Sequence, residues 1–429
     1  MLPIHIFFCL FWSLSPAATS AYSRASERIQ PQDLTYRGAF RLPDLVTHSF
    51  IESWDYGGHA MAYFPGGDAR GPLDGYPGSI FACGHAWAHL VAEIDIPVPV
   101  ISASKYPEDL NTAVQLQPFT DILNVRDLEI PRSGLAILPR QGSQAAGKLY
   151  FCWGYHMQEG PASLTHGWCE TDLSDPEIRR GWYLGGWPAH IRNLSTNDYM
   201  CEIPTAWSDL YLPGMRLATG RFRDGGWSGQ GPALFAIGPW SQGDPPPSGS
   251  ALPNEPLLLY SSTYTDSAGN HRLDRYHHSD EWSGVAWLTA GEKSALVFVG
   301  SKGKGDCWYG NPQGPCLECD NRGWWSDEFS GQILFFDTKD LADVALGLRQ
   351  KWEPQPYAVM EIDEYLFHVT SNQQKHHVGA ACFDSVHGLL YIGEPNGDGG
   401  KPLIHVWRVG DGSDRDDPPT RGKKSPVRR

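Results

Sequence analysis

GHAMAYFP at residues 58–65, closed by IFACGH at 80–85, is a glycine, a short apolar run, a turn, a second apolar run and another glycine. The phrase returns as GLAILP (134–139) with KLYFCWG (148–154), and as GMRLATG (214–220) with ALFAIG (233–238). It returns again as GVAWLT (284–289) with ALVFVG (295–300), and as GAACFD (379–384) with LLYIG (389–393). A third run usually follows: LVAEIDI (90–96), GWCETDL (167–173), PLLLYSS (256–262), GQILFFD (331–337) and IHVWRV (404–409). A fourth is visible in AVQLQPF (113–119), YMCEIP (199–204) and YAVMEID (357–363). Short apolar runs bounded by glycine read as strands buried on both faces. Five copies of a three-to-four-stranded unit predict an all-β chain, a five-bladed β-propeller whose inner strands begin at Gly58, Gly134, Gly214, Gly284 and Gly379.

The last copy lacks a fourth strand, because the chain turns polar after Val409. LTYRGAFRLPD (34–44) resembles the fourth strands of the other copies and can fill that gap, so the N-terminal strand is expected to close the ring and remove its open edges. The 429 residues, 41% hydrophobic, are ample for one such domain over 22–410. LADVALGLRQKW (341–352) is the best helical pattern. Residues 411–429 carry almost no apolar content and read as a disordered charged tail. Residues 1–21, an apolar run ending in small residues, read as a signal peptide, which makes the mature protein exported, extracellular or periplasmic. Nothing later reads as a membrane span.

The formal charge of −15 argues against nucleic acid as a partner, since phosphate binding needs a basic face. Export permits disulfides. Cys152 and Cys169 lie on adjacent predicted strands and are expected to bridge; the loop holding Cys307, Cys316 and Cys319 is expected to hold one further bridge.

Propeller topology sorts the loops. If inner strands run from a top face to a bottom face, the long loops fall at the top, and most histidines fall in them, including His48, His85, His89, His156, His166, His277, His278, His368, His376 and His377. His59 opens an inner strand at the same end. His59 and His85 sit at neighbouring strand ends, and two imidazoles with pKa values near neutrality can divide acid and base roles. The same pair with His89 could ligate a divalent metal, calcium or zinc, although no motif specifies a cofactor. For a lone histidine the ordinary reading is a ring bonded to loop carbonyls.

DYGGHAMAYFPGGD (55–68) with GSIFACGHAW (78–87) resembles the β-propeller polysaccharide lyases that cleave ulvan and related rhamnose–glucuronate polymers. That resemblance implies a catalytic histidine pair, His59 and His85, assisted by a tyrosine and an arginine. Tyr199 and Arg216 match those roles, with Tyr155 an alternative. That family has seven blades against the five counted here. KGKGDCWYG (302–310) and WEPQPYAVMEID (352–363) resemble secreted bacterial propeller proteins more generally.

Carboxylates carry a competing reading. Asp55 precedes the first inner strand, and Asp280 and Glu281 precede the fourth. Glycoside hydrolysis needs two carboxyls flanking the scissile bond, so Asp55 with Glu281 defines a hydrolase alternative; both residue types also cap turns. Arg132, Arg216, Lys302 and Lys304 could hold an anionic sugar. Trp87 and Trp282, and with them Trp153, Trp240, Trp308, Trp324 and Trp325, could stack on sugar rings, although most tryptophans in a propeller pack between blades. Tyr155, His156, His376 and His377 join them as candidate substrate contacts.

The sequence therefore points first to a secreted, carbohydrate-active polysaccharide lyase that cleaves a uronate-containing glycan by β-elimination. A propeller glycoside hydrolase is the second expectation, and a non-catalytic glycan-binding or scaffold propeller the third.

Overall fold

The computed structural model describes residues 27–44, 49–68, 71–124, 132–140, 144–154, 164–184, 196, 198–222, 229–238, 248–261, 271–310 and 323–410. The expected signal peptide, the tail, Tyr155, His156, Trp240, Cys316 and Cys319 lie outside these residues.

Five sheets, each with four antiparallel strands, form a five-bladed β-propeller; Glu27–Arg28 adds a short parallel strand to blade four and Ala251–Leu252 one to blade two. Blade one is Met61–Phe64, Ser79–Cys83, Val91–Asp95 and Gln115–Thr120. Blade two is Ser133–Leu138, Lys148–Trp153, His166–Glu170 and Arg179–Leu184. Blade three is Tyr199–Glu202, Leu217–Gly220, Leu234–Ile237 and Asn254–Leu258. Blade four is Glu281–Ala290, Lys293–Tyr309, Trp324–Phe336 and Ala358–Glu361. Blade five is Ala381–Asp384, Leu389–Asp398 and Lys401–Val409, completed by Leu34–Arg41 from the N-terminal side. That last pairing runs from Leu34 opposite Val409 to Arg41 opposite Leu403, so the first strand closes the ring as expected.

The apolar runs follow from this geometry. Successive side chains of a strand point to opposite faces, and each blade face is covered by a neighbouring blade. Phe81 therefore packs with Leu135, Leu149 and Phe151 between blades one and two, whereas its neighbour Ile80 packs with Leu389, Tyr391 and Ile404 between blades five and one. The core is thus five separate inter-blade layers. The recurring glycine also has a cause. A Cβ on Gly134 would lie 2.5 Å from the Tyr199 carbonyl carbon of the next inner strand, and one on Gly284 would lie 2.6 Å from Ala381 N. At these glycines neighbouring inner strands approach too closely for a side chain to stand between them.

Blade three departs from the sequence reading. Its inner strand is Tyr199–Glu202, which packs between the inner strands of blades two and four, and Gly214 precedes its second strand. A helix, Thr205–Tyr211, lengthens the connection between the first two strands, so the phrase at 214–220 falls one strand later than elsewhere. The segment taken for blade two's fourth strand is thus blade three's first, and Arg179–Leu184 takes the vacated place. The helix expected over 341–352 spans Thr338–Ala345. It starts early because the Asp337 side chain caps it, accepting from Lys339 N at 2.9 Å, and Gly347, at φ +71°, lies just beyond its end.

The expected Cys152–Cys169 bridge does not form. Cys169 lies opposite Leu149 and Cys152 opposite His166. Three residues of a strand separate the two register positions, which puts the sulfurs on opposite faces of the sheet, Cys169 against blade one and Cys152 against blade three. Both are free thiols raised in pKa by burial, Cys169 to about 12. The second expected bridge involves residues outside those described. Among the described residues no helix is long and apolar enough to cross a membrane.

Candidate functional site

The inner strands of the five blades begin at one end of the axis, and each beginning, or the loop before it, delivers a polar or ionisable side chain there. Blade one supplies His59. It follows a tight turn in which Tyr56 and Gly58 adopt φ of 58° and 87°. Its Nε2–H donates to the Tyr56 carbonyl at 3.1 Å, which leaves Nδ1 as the ring's lone-pair nitrogen. Blade two supplies Arg132, whose side chain is buried. It donates to Ser283 Oγ and to Glu281 Oε2, each at 2.8 Å, so it reaches across to blade four. The segment before blade five supplies His376, whose Nδ1 lies 2.8 Å from the same Glu281 oxygen and must carry the hydrogen of that bond. Blade three supplies Asp198, paired with Arg221 at 3.7 Å, both buried, and accepting from Phe222 N at 3.1 Å. The Phe222 ring lies 4.9 Å from the Arg132 guanidinium and 5.8 Å from that of Arg221.

The electrostatics follow from this crowding. Burial lowers the His59 pKa to about 3; the Arg132 charge and the rings of His89 and His376 push the same way, against the bond to Tyr56. His59 is half-buried and remains neutral across the physiological range. Burial alone would raise Glu281, but His376, Arg132 and Lys375 outweigh it and hold the carboxyl well below the ordinary carboxylate range. Glu281 is therefore a fixed anion. His89 is buried at φ 52° behind this cluster, with Nδ1 3.1 Å from Ser133 Oγ.

His85 lies beside Tyr56 rather than on the axis. Its ring meets Tyr56 edge-on at 5.6 Å and Phe50 at 5.5 Å, and Phe50 stacks on Trp87 at 5.5 Å. The His59 and His85 rings flank the same turn without bonding to each other. Burial lowers His85, opposed by Asp55. Asp55 itself packs against Gly400 at the tip of a blade-five hairpin.

Other expectations are corrected. Arg216 lies at the far end of the axis. It donates to Glu202 Oε1 at 2.6 Å and to the Ile203 carbonyl at 3.2 Å, because the shifted frame of blade three makes it the bottom of a second strand. Arg221 stands where Arg216 was expected, and it was missed for the same reason. Tyr199 is buried between blades three and four; its hydroxyl bonds to the Arg221 and Ala233 carbonyls at 2.8 and 2.7 Å, so it holds the Arg221 backbone in place. Trp282 is wholly buried in the same layer. His377 is saturated by Asp363 at 2.7 Å and the Gln374 carbonyl at 2.9 Å, and Lys302 pairs with buried Asp280 at 2.8 Å. Lys304 pairs with Glu361 on the surface. Among the described residues no group of three or more His, Cys, Asp or Glu is placed to hold a metal ion, His89 included.

The bottom of the axis holds a cavity of about 470 Å³ lined by Ala136, Met200, Glu202, Trp287 and Asp384, among others. Its acids are already engaged. Glu202 pairs with Arg216, and Asp384 accepts from Val386 N at 2.9 Å and from the His387 ring at 2.7 Å, a turn-capping role.

No family model and no curated protein sequence matches this chain. Solved structures similar to it include two propeller-containing proteins. The phage phi92 endosialidase has a TM-score of 0.34 and 9% identity, over 92% of this chain and 54% of that one. The Myceliophteria thermophila Cps50 (Swd1) β-propeller domain has a TM-score of 0.26 and 11% identity, over 78% and 69%. The chain spans about half the length of the endosialidase.

Proposed function

We propose that the axial face binds a uronate-containing polysaccharide and cleaves it by β-elimination. The observation that carries this reading is a neutral histidine, His59, beside a buried arginine, Arg132, and a carboxylate locked in its ionised form, Glu281. Elimination needs a neutral base for the C5 proton and a cation near the sugar carboxylate, where charge builds as that proton leaves. His59 Nδ1 is the base. The electron pair of the broken C–H bond forms the C4–C5 double bond, the C4–O bond breaks, and the departing oxygen takes a proton. His376, in its imidazolium form, is the donor: Glu281 holds its Nδ1–H, and the second proton, on Nε2, passes to the departing oxygen. Arg132 takes the part foreseen for Arg216, and His376 that foreseen for His85. The apolar stretch at residues 1–21 supports export, where such a polymer would be met.

The hydrolase reading needs a carboxylic acid that keeps its proton near neutrality. Glu281 is shifted the opposite way, which disfavours it as that acid. Incubation with ulvan, alginate, polygalacturonate and hyaluronan, read by ultraviolet absorbance of the unsaturated uronate, tests the proposal. The expected result is absorbance from the wild type on at least one polymer, lost by about 10²–10⁴-fold in His59→Ala and Arg132→Gln proteins that remain folded. New reducing ends without absorbance would make the enzyme a hydrolase and end the lyase reading.

A further inference from the structure

We infer that Phe50, Tyr56, His85 and Trp87 form a sugar-stacking subsite that takes the pyranose ring next to the one held at Arg132. The inference rests on the axial site being a glycan site. Phe50 is 63% exposed, Tyr56 61% and Trp87 46%, and all three gather around one histidine. Leaving such a cluster in water is costly, and contiguous exposed apolar surface marks a place where something binds. The cluster is also built and held. Tyr56 adopts φ 58°, unfavourable for an aromatic residue, and its N–H donates to the Gly400 carbonyl at 2.7 Å. His85 N–H donates to the Ser53 carbonyl at 2.9 Å, Trp87 N–H donates to His85 Nδ1 at 3.2 Å, and Ser53 Oγ donates to the Phe50 carbonyl at 2.8 Å. These bonds fix the rings before any ligand arrives, which lowers the entropy lost on binding.

The occupant follows from continuity with the axis. The Tyr56 carbonyl that receives His59 Nε2–H belongs to the residue whose ring edges onto His85, so the shelf and the proposed base share one turn. A polymer with one residue at Arg132 meets this shelf with its neighbour. Sugar rings present apolar C–H faces that stack on aromatic faces and hydroxyls that bond to carboxylates. Asp55, exposed and close enough for its charge to act on His85, supplies such an acceptor at the shelf's edge. His85 thus becomes a residue that orients the shelf, and Asp55 a hydroxyl acceptor.

The experiment uses the full chain with the same four polymers, measuring affinity-gel retardation alongside steady-state kinetics for Phe50→Ala, Trp87→Ala, Trp87→Leu and His85→Gln. Each stacking loss is expected to weaken polymer binding about tenfold, within the usual range for an aromatic platform. KM should rise to match while kcat stays within about twofold, and Trp87→Leu, which keeps apolar bulk without the ring, should behave as Trp87→Ala does. Wild-type KM and gel mobility in the Phe50 and Trp87 variants, with unsaturated product still formed, would overturn the shelf and leave the lyase standing. A drop in kcat for His85→Gln at unchanged KM would restore His85 as an acid or base and likewise overturn it. Variant-dependent retardation without any unsaturated product would sustain the shelf and remove the lyase.

Discussion

His59 titrates in the company of Arg132, His89 and His376, and the sign of its shift decides how a pH profile should look. Burial and the Arg132 charge bring its pKa from the ordinary 6.5 to about 3. A base acts only when unprotonated, so its activity is full above its pKa and lost as pH falls through it. In the free enzyme that loss comes near pH 3, so kcat/KM should show no acid-side inflection between about pH 5 and 8, where an unshifted histidine would give one. In the complex, a sugar carboxylate beside Arg132 offsets the charge that depresses His59. The acid limb of kcat should therefore lie above that of kcat/KM. An acid-side inflection of kcat/KM near the ordinary histidine value, absent from His59→Ala, would show that His59 does not sit in the field described. The residues themselves were legible: the topological sorting of loops named His59, Arg132, Glu281 and His376 as top-face groups. Sequence could not tell which of them meet. Glu281 bonds to both Arg132 and His376, from two other blades, and no spacing along the chain encodes that.

The strand is the scale at which the sequence reading slipped. Four of the five glycine phrases mark inner strands because close approach of neighbouring inner strands excludes side chains, as Gly134 and Gly284 show. The phrase at 214–220 has the same apolar content for another reason: second strands are buried on both faces as well, and its glycine serves a turn at φ +86°. Composition cannot separate the two cases. The Thr205–Tyr211 helix that shifts the frame has no long amphipathic pattern to announce it. One misplaced strand moved Arg216 to the wrong end of the molecule and hid Asp198 and Arg221. The cysteine reading failed in a related way, since adjacency of strands was legible but register parity was not. The corrected frame makes a prediction about paired arginines. Arg216→Gln should leave kcat and KM within about twofold of wild type yet cost about 1–3 kcal/mol of stability, because the Glu202 carboxylate loses its partner. Arg132→Gln should do the reverse in kinetics. Thermal unfolding with parallel assays separates the two, and an Arg216→Gln enzyme crippled in turnover but unchanged in stability would put that residue back at the site.

Across the whole molecule, five inter-blade layers share the apolar core, and none closes without its neighbour. The join between blades five and one depends on a segment from the far end of the chain. Leu34–Arg41 pairs with residues 403–409 of the last strand, Phe40 lies in the layer against blade one, and Tyr36 OH bonds to buried His405 Nδ1 at 2.9 Å. His405 Nε2 in turn lies 2.8 Å from Glu394, which accepts from Phe367 N at 2.7 Å and His368 N at 2.6 Å, so the closing strand completes a polar chain running toward the loop before His376. Deleting residues up to 41 removes that strand, exposes the Lys401–Val409 edge and uncovers part of two apolar layers. An exposed strand edge of this length invites pairing with another copy. The truncated protein should therefore elute as oligomers or aggregate and lose the single cooperative unfolding transition of the full chain, while Tyr36→Phe, which removes one hydrogen bond, should cost only about 1 kcal/mol. A peptide spanning residues 27–44, added in excess, should restore the monomer by binding the folded ring, with a melting temperature that rises with peptide concentration. A truncated chain that stays monomeric and melts with the full chain would mean that the ring holds without its closing strand.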